Sequence, residues 1–389
     1  MDLTQRGILL LLKSAITQQP QELPEGFDME AAYPLIRQHH MAALCYDGAV
    51  RCGVPRQHPV MQEMFRCYCK MLAVSEGQMR QISRIYAAFD ANGIDYMPLK
   101  GCNMKALYPK PELRTMGDAD ILIRVEQYDQ IVPVMESIGF TYVKESDPEL
   151  VWKSPALHLE LHKRLFAPHN KDFYTYFGEG WNRASRVAGT RYAMTAEDTY
   201  IYLLTHFAKH YRDGGIGCRH VVDLWVYRMA HPGMDEAYIG AELEKLWLRE
   251  FHEHICRMID AWFREKQMDE WTDVLTAYIF SSGSWGSNEE RMLARVVKQS
   301  KHSALGFSGR LMYLWGLLFP SRKNMRQIYP VLEKAPFLLP VFWLIRPVHK
   351  MLFNGGKVKK YGKNLKQMSK ENLDARQEML RYVGLDYNF

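Results

Sequence analysis

The feature that most constrains the fold of this chain is a change of hydrophobic period at Asn92-Gly93. Before this point, residues 59–91 carry apolar side chains three and four positions apart, which is the spacing of one helix face. Gly93 stands where glycine commonly follows a helix end. After it, residues 94–99 and 118–125 have the short apolar or alternating patterns of strands. We therefore expect an α+β protein, in which helices and strands occupy separate stretches.

The same patterns divide the 389 residues into three parts. Residues 1–91 are predicted to form an N-terminal helical segment, and 92–190 a small mixed-sheet α/β domain. Residues 191–389 are predicted to form a larger C-terminal helical domain with a basic tail. Two or three folding units suit a chain of this length, at roughly 150 residues per domain.

The composition favours a soluble, cytoplasmic protein. Hydrophobic residues make up 47% and charged residues 24%, an ordinary balance for a globular chain. No apolar run approaches the ~20 residues that span a bilayer, and the N-terminus lacks the features of a secretory signal. The seven cysteines are odd in number and show no Cys-x2-Cys pair, so we expect reduced thiols rather than disulfides or a zinc site.

The positive charge is concentrated near the C-terminus. The net charge is +6, and residues 346–370 contain eight Lys or Arg and no Asp or Glu. Such a stretch is most simply a solvated tail. Contact with nucleic acid or with an anionic membrane is the alternative that its charge leaves open.

Two aspartates indicate a metal site. Asp118 and Asp120 begin an apolar strand pattern, and residues two apart in a strand share a face. Two unpaired carboxylates this close would force one of them to hold a proton. A divalent cation removes that conflict, and Mg²⁺ prefers such hard oxygen ligands. We therefore expect Asp118 and Asp120 to bind Mg²⁺ or Mn²⁺.

Two further elements would complete this site. Upstream, Gly101 lets the backbone turn and approach a ligand closely, and the helix predicted to begin there favours phosphate. Lys100 beside it could add a positive charge. Downstream, the alternating stretch 158–162 places Glu160 and His162 on one face of a strand, so that Glu160 supplies a third carboxylate.

Each of these residues also has a plainer interpretation. Lys100 could be a solvated surface residue, and Glu160 an exposed strand residue. His162 could be a structural histidine held by hydrogen bonds. Arg114 is a candidate contact for phosphate or acceptor, and otherwise a loop residue that pairs with a nearby carboxylate.

The order of these elements resembles the nucleotidyltransferase (polymerase-beta-like) superfamily. Its motif places an apolar residue and Gly before Asp-x-Asp, with a third acidic residue on a later strand. The chain resembles more closely the family of uncharacterised nucleotidyltransferases, over about residues 92–230. That resemblance rests on Leu99-Lys-Gly101, Leu107-Tyr-Pro109, Leu113-Arg-Thr-Met-Gly-Asp-Ala-Asp120, Leu159-Glu-Leu-His162, and His206-x3-His210 followed by Asp223.

The resemblance implies roles for four of the residues. Gly101 would contact the nucleotide phosphates, Asp118 and Asp120 would bind the metal ions, and Glu160 would be the third carboxylate. The implied reaction is metal-assisted transfer of a nucleoside monophosphate from an NTP to a hydroxyl group, with release of pyrophosphate.

The acceptor is open at this point. A small molecule is the leading interpretation. A protein or RNA acceptor, as in toxin–antitoxin modifiers, is one alternative, and a non-catalytic nucleotide- or partner-binding module is another. A wide basic cleft around Lys100, Arg114 and Arg164 would favour a polymeric acceptor, whereas a small aromatic-lined pocket would favour a small molecule.

Overall fold

The computed structural model of the chain describes residues 1–264, 266–284, 286, 288–301, 315–316, 319–353 and 370–385. It is mainly helical and contains a seven-stranded mixed sheet with helices before and after it, so the predicted α+β class is confirmed. The chain divides into two compact units. The first comprises Met1–Ala208 and Ile216–Ser284, and the second comprises Lys209–Gly215 with the described part of Trp285–Tyr387.

Four helices precede the sheet. The first is capped by Asp2, whose carboxylate accepts a hydrogen bond from the Gln5 N–H at 2.7 Å. It packs closely against the third helix at Gly48, where a Cβ would lie 2.0 Å from the Leu11 carbonyl oxygen. The four are α1 (Leu3–Thr17), α2 (Met29–Gln38), α3 (Ala42–Arg51) and α4 (Pro59–Ala91).

Helix α4 is 33 residues long, or roughly 50 Å at 1.5 Å per residue. Pro59 is its first residue, a position that tolerates proline because the N–H there has no partner within the helix. It ends at Ala91, and Gly93 follows in the left-handed region with a φ of +67°. The predicted helix end at Asn92-Gly93 is therefore confirmed.

The sheet has the strand order β3-β4-β5-β2-β1-β7-β6. Strand β2 lies at its centre, antiparallel to β1 and parallel to β5. The sequence did not predict β4, β6 or β7. The strands are β1 (Tyr96–Pro98), β2 (Asp118–Ile123), β3 (Thr141–Ser146), β4 (Glu149–Lys153), β5 (His158–His162), β6 (Ala184–Ala188) and β7 (Arg191–Met194).

Alternation along β2 separates a core face from a polar face. Ala119, Ile121 and Ile123 are fully buried in a hydrophobic core. That core also contains residues of α4, such as Ile85, and of the helix Tyr128–Ser137. Asp118 and Asp120 therefore lie on the opposite face, as the strand pattern predicted.

The remaining helices lie after β1 in the chain. Within the described residues, none of these or the earlier helices is long and apolar enough to cross a membrane. They are α5 (Lys100–Lys105), α6 (Tyr128–Ser137), α7 (Lys171–Phe177), α8 (Ala196–Arg212), α9 (Cys218–Ala230), α10 (Glu236–Lys245), α11 (Arg249–Phe263), α12 (Glu270–Ser282), α13 (Asn288–Lys301), α14 (Arg322–Ile328), α15 (Leu339–Phe353) and α16 (Lys370–Tyr382).

Most of the basic stretch predicted as a tail, residues 354–369, lies outside the described residues.

Candidate active site

The pairing of β2 with β5 brings two of the predicted carboxylates together. In this parallel pair Asp120 is the register partner of Glu160, and Asp118 is the partner of His158. Neighbouring strands lie about 4.8 Å apart, so paired residues on one face are adjacent. Glu160 thus lies beside Asp120, on the neighbouring strand where a third carboxylate was expected.

Asp120 contacts both Lys100 and His162 in the site. It is 5% exposed, and its Oδ1 accepts a hydrogen bond from the Lys100 ammonium at 3.1 Å. His162 Nε2 lies 2.8 Å from the same oxygen and 3.7 Å from Glu160 Oε2. No described residue donates a hydrogen bond to Oδ2 of Asp120. One oxygen of this carboxylate is therefore held by cationic or imidazole neighbours, and the other remains for a ligand.

Burial and neighbouring charges shift the pKa values of Asp120 and Glu160 in opposite directions. Burial acts to raise the pKa of Asp120, but Lys100 and His162 outweigh it and hold that pKa well below its usual range. Burial also opposes the charge of Lys100, yet Asp120 raises its pKa. For Glu160 the opposing effect of Lys100 is too small, and burial together with the nearby carboxylates of Glu149 and Asp118 raises its pKa to about 8.

Asp120, Glu160 and His162 form a group that fits a metal ion. One ligand atom from each of the three lies within 4.8 Å of the others. His162 is 3% exposed, and its Nδ1 has no hydrogen-bond partner among the described residues. The crowding that raises the pKa of Glu160 is what a divalent cation would relieve. The donor set, two carboxylates and an imidazole, suits a first-row divalent metal such as Mn²⁺ as well as Mg²⁺.

Asp118 lies beside this group rather than within it. It is the first residue of β2 and is more exposed than Asp120. Burial and the charge of Asp120 raise its pKa, while Lys100 and Arg219 act in the opposite direction. Asp118 is therefore close enough to sense the charges of the site, at the edge of the three-residue metal group.

A row of rings lies next to Lys100. Tyr202 is 1% exposed, and its hydroxyl is close enough to Lys100 that each affects the pKa of the other. The ring of His206 lies 6.3 Å from that of Tyr202, and the ring of His220 lies 6.5 Å from that of His206. These side chains of α8 and α9 therefore pack on the side of the site that Lys100 occupies.

Gly101 is needed for packing at the start of α5. A Cβ at this position would lie 2.9 Å from the Met116 sulfur and 3.4 Å from the Asp118 carbonyl oxygen. Met116 is itself held from α4, because the side-chain amide of Gln78 donates to its carbonyl oxygen at 2.9 Å. Gly101 therefore lets α5 lie directly against the segment that leads into β2. Its contact with nucleotide phosphates stays a prediction.

Arg114 is engaged by a carboxylate that is remote in sequence. Its guanidinium donates two hydrogen bonds to Asp223 of α9, Nε to Oδ1 and Nη2 to Oδ2, both at 2.8 Å. The Tyr108 hydroxyl donates to the same Oδ1 at 2.7 Å. Arg114 and Asp223 are both buried, so this bidentate pair fastens the loop before β2 to α9.

Arg219 is a candidate that the sequence did not single out. It lies one turn before Asp223 on α9, and its Nη1 donates to the Thr115 carbonyl oxygen at 3.1 Å. Burial and the positive charge of Arg114 lower its pKa, while Asp223 and Asp118 act to raise it. Arg219 thus places a guanidinium near Asp118. In the sequence it appears only as a helical neighbour of Asp223 at i,i+4.

Comparison with known protein families finds a match for this chain. The model of a family described as uncharacterised nucleotidyltransferase matches residues 25–264, which is more than half of the chain and includes every residue of the site. No curated protein and no solved structure matches the chain.

Proposed function

Since the chain belongs to the uncharacterised nucleotidyltransferase family, we propose that it transfers a nucleoside monophosphate from an NTP to a hydroxyl group on a small molecule, releasing pyrophosphate. The observation that carries this proposal is the group of Asp120, Glu160 and His162 on adjacent parallel strands. It would supply one buried and one half-buried carboxylate to a metal ion bound with the triphosphate, and cationic side chains lie beside it.

Asp120 and Glu160 would hold the metal ion, with His162 as a nitrogen ligand or as the residue that orients Asp120. Asp118 would join them at the edge of the site. The bound Mg²⁺ or Mn²⁺ would neutralise charge on the triphosphate and on the departing pyrophosphate. In the protein itself, Lys100 and His162 keep Asp120 ionised, so that it can accept a metal ion near neutral pH.

Lys100 has a second part in this proposal. Its ammonium lies 3.1 Å from Asp120 Oδ1 and is buried beside Tyr202. A metal ion at Asp120 would compete with Lys100 for that carboxylate. A phosphate oxygen of the substrate would then be a natural new partner for the ammonium group.

Arg219 is the second proposed phosphate contact, in place of Arg114. Both carboxylate oxygens of Asp223 bind Arg114, which therefore serves to position the loop. Arg219 lies near Asp118, and its pKa is lowered by burial and by Arg114. An anionic substrate beside Arg219 would raise this pKa again and so offset both the burial and the charge of Arg114. The loop of residues 114–117 would thus be fixed by one arginine and bordered by another that binds substrate.

The charges around the site favour a small acceptor over a polyanion. Lys100 faces Asp120, Arg114 faces Asp223, and the Arg164 guanidinium lies 3.6 Å from Glu179 Oε2. Each of the three cations that were predicted to line a basic cleft is therefore matched by a carboxylate of the protein. Polynucleotide backbones are bound by cations available to their phosphates. The half-buried ring of His206, beside that of Tyr202, offers instead a surface suited to a compact organic molecule or to the base of the nucleotide.

The experiment that tests this function is pyrophosphate release from each of the four NTPs, with Mg²⁺ or Mn²⁺, in the presence of pooled hydroxyl-bearing metabolites. Replacing Asp120 by Asn should reduce turnover at least ~10²-fold, the scale of losing one preorganised electrostatic group. Asp129→Asn is the matched control, because Asp129 lies on α6, outside the strands and helices that carry the site.

Unchanged turnover in the Asp120→Asn protein would rule out the proposed site. Metal-dependent NTP binding without any pyrophosphate release, across all acceptors, would instead favour the non-catalytic alternative. Transfer of label to RNA or protein, but not to small molecules, would overturn the proposed acceptor class while keeping the reaction.

A further inference from the structure

The second unit presents a cluster of exposed apolar side chains outside the region that the family model matches. Phe337 is 77% exposed and Leu344 is 74% exposed, and Val341 and Ile345 are 48% and 43% exposed. Val341, Leu344 and Ile345 are spaced i, i+3 and i+4 on α15, so they share one side of that helix. Phe337 lies in the 3₁₀ turn Pro336–Leu338 that immediately precedes α15. We call these four residues the outer face.

The outer face is turned outward by contacts on the other side of α15. The Phe342 ring packs against Tyr329 with 4.6 Å between ring centroids. The Trp343 ring packs edge-on against Phe319 at 5.3 Å, and its Nε1 donates to the Pro320 carbonyl oxygen at 3.0 Å. The helix therefore has a second apolar side that is already packed. The exposed side chains are held in place rather than merely unpaired at a frayed end.

Basic residues are frequent in the sequence on both sides of the outer face. Residues 321–346 contain five Lys or Arg and one acidic residue, Glu333. Two of these cations, Arg322 and Lys334, are exposed. The chain then continues with seven Lys and no acid between 347 and 370. An apolar patch joined to a one-signed basic segment is the composition of segments that lie on anionic membranes.

We propose that the outer face docks on an anionic lipid surface. The apolar side chains enter the boundary between headgroups and acyl chains, and the exposed Lys334, three positions before Phe337, meets lipid phosphates or carboxylates beside them. This association goes beyond the nucleotidyl transfer proposed above, because it uses residues outside 25–264 and places the enzyme at a membrane.

The charge and polarity of the outer face and its flanking sequence favour a lipid surface over a second copy of the chain or a nucleic acid. A second copy of the chain would bring the same basic residues towards one another, and like charges oppose that pairing. A surface that binds nucleic acid has cations at its centre, where they contact the phosphates. The outer face instead has Phe337 and Leu344 at its centre. A lipid surface has an apolar interior beneath negatively charged headgroups. The interior suits the apolar outer face, and the headgroups suit the basic residues that flank it in the sequence.

The test uses the full-length protein and co-sedimentation with vesicles of phosphatidylcholine, with and without phosphatidylserine. We expect binding to the phosphatidylserine vesicles that weakens as salt is raised, since exposed charges are screened. The double variant F337E/L344E should bind them at least about tenfold more weakly, because two inserted apolar side chains become charged. Both side chains are exposed, so the substitutions should not unfold the unit.

A matched control is Leu72→Glu, because Leu72 is another exposed helical leucine, at 45%, within α4. It should bind vesicles as the parent does. Circular dichroism and pyrophosphate release without vesicles should be the same for F337E/L344E and the parent, which separates loss of docking from loss of the enzyme. Equal binding by F337E/L344E and parent would overturn the proposal. So would vesicle binding independent of phosphatidylserine, or a parent dimer in gel filtration that the double variant converts to monomer.

Discussion

Arg114 and Asp223 form a buried bidentate ion pair across 109 positions of sequence, with both N–H···O distances at 2.8 Å. The sequence presented Arg114 as a possible phosphate contact, or else as a loop residue that pairs with a nearby carboxylate. The structure places it against a carboxylate on α9, so this ion pair links the loop before β2 to that helix.

Replacing Arg114 by Met should therefore act on stability first. It leaves the Asp223 carboxylate buried without its partner, which should lower the free energy of unfolding by about 3–5 kcal/mol. Urea denaturation followed by circular dichroism measures this. Adding Asp223→Leu should recover part of the loss, because no buried charge then lacks a partner. Arg249→Met, at a 59% exposed side chain, should cost little. Normal stability with weakened NTP binding would instead identify Arg114 as a phosphate contact.

Arg219→Gln should act on substrate binding. Losing a charge-assisted contact of about 1.5–3 kcal/mol corresponds to roughly 10- to 100-fold in NTP affinity. The loss should be largest for the triphosphate and smallest for the nucleoside, as calorimetry with the series of nucleotides can show. Arg257→Gln, at a half-exposed arginine that faces Asp269, is the control. An equal loss for nucleoside and triphosphate would contradict a phosphate contact.

His162→Gln should change which metal ion the protein prefers. An imidazole nitrogen suits Mn²⁺ better than Mg²⁺, so its loss should weaken Mn²⁺ binding more than Mg²⁺ binding. Titration of Mn²⁺ followed by electron paramagnetic resonance, with Mg²⁺ as competitor, measures the ratio. His158→Gln is the control, because His158 is exposed on the same strand. If the Mn²⁺ to Mg²⁺ ratio stays the same, His162 orients Asp120 and does not bind the metal ion.

Lys105 predicts a pH dependence of stability. It is fully buried, its ammonium donates to the Ser75 hydroxyl and the Pro111 carbonyl, and burial with the charge of Arg114 lowers its pKa to about 8, against the opposing effects of Glu112 and Cys102. The unfolded chain binds this proton more tightly, at its ordinary pKa near 10.5. Stability should therefore rise between about pH 8 and 10.5, by at most roughly 3 kcal/mol.

Lys105→Met should remove that rise, and chemical denaturation at a series of pH values would show it. The variant should also be no less stable than the parent near pH 7, where the parent carries a buried charge. A parent protein whose stability falls between pH 8 and 10 would contradict this account of Lys105.

Local patterns were sufficient for the parts of the site that lie on single strands. Alternation alone placed Asp118 and Asp120 on the face opposite Ile121, and Glu160 on the same face as His162. Gly101 was predicted to let the backbone approach a ligand, and that stays a prediction; the close contact in the structure is with Met116, 15 positions away in sequence. The alternation of a strand involves only residues that are close together in the sequence, so the sequence alone can reveal it.

The remaining features depend on contacts between distant segments. Arg219 reaches Thr115 only because α9 packs beside the loop before β2, and in sequence it resembles an ordinary i,i+4 partner of Asp223. Strand β6 was missed because its residues are mostly exposed and show no apolar alternation. Strand β7, at Arg191–Met194, has only four residues, too few for a period to appear.

Helix α4 contacts the stretch from Lys105, the last residue of α5, to Met116, shortly before β2, at three points along one side. Tyr68 donates to Glu112, Ser75 accepts from Lys105, and Gln78 donates to the Met116 carbonyl oxygen. Each residue added to a helix rotates one end about the helix axis by about 100° relative to the other. A single inserted residue between Gln78 and Ile85 would therefore rotate these three side chains away while Ile85 kept its place in the core. The number of residues in α4 is thus itself under constraint, and natural insertions and deletions should avoid the interval from Tyr68 to Ile85.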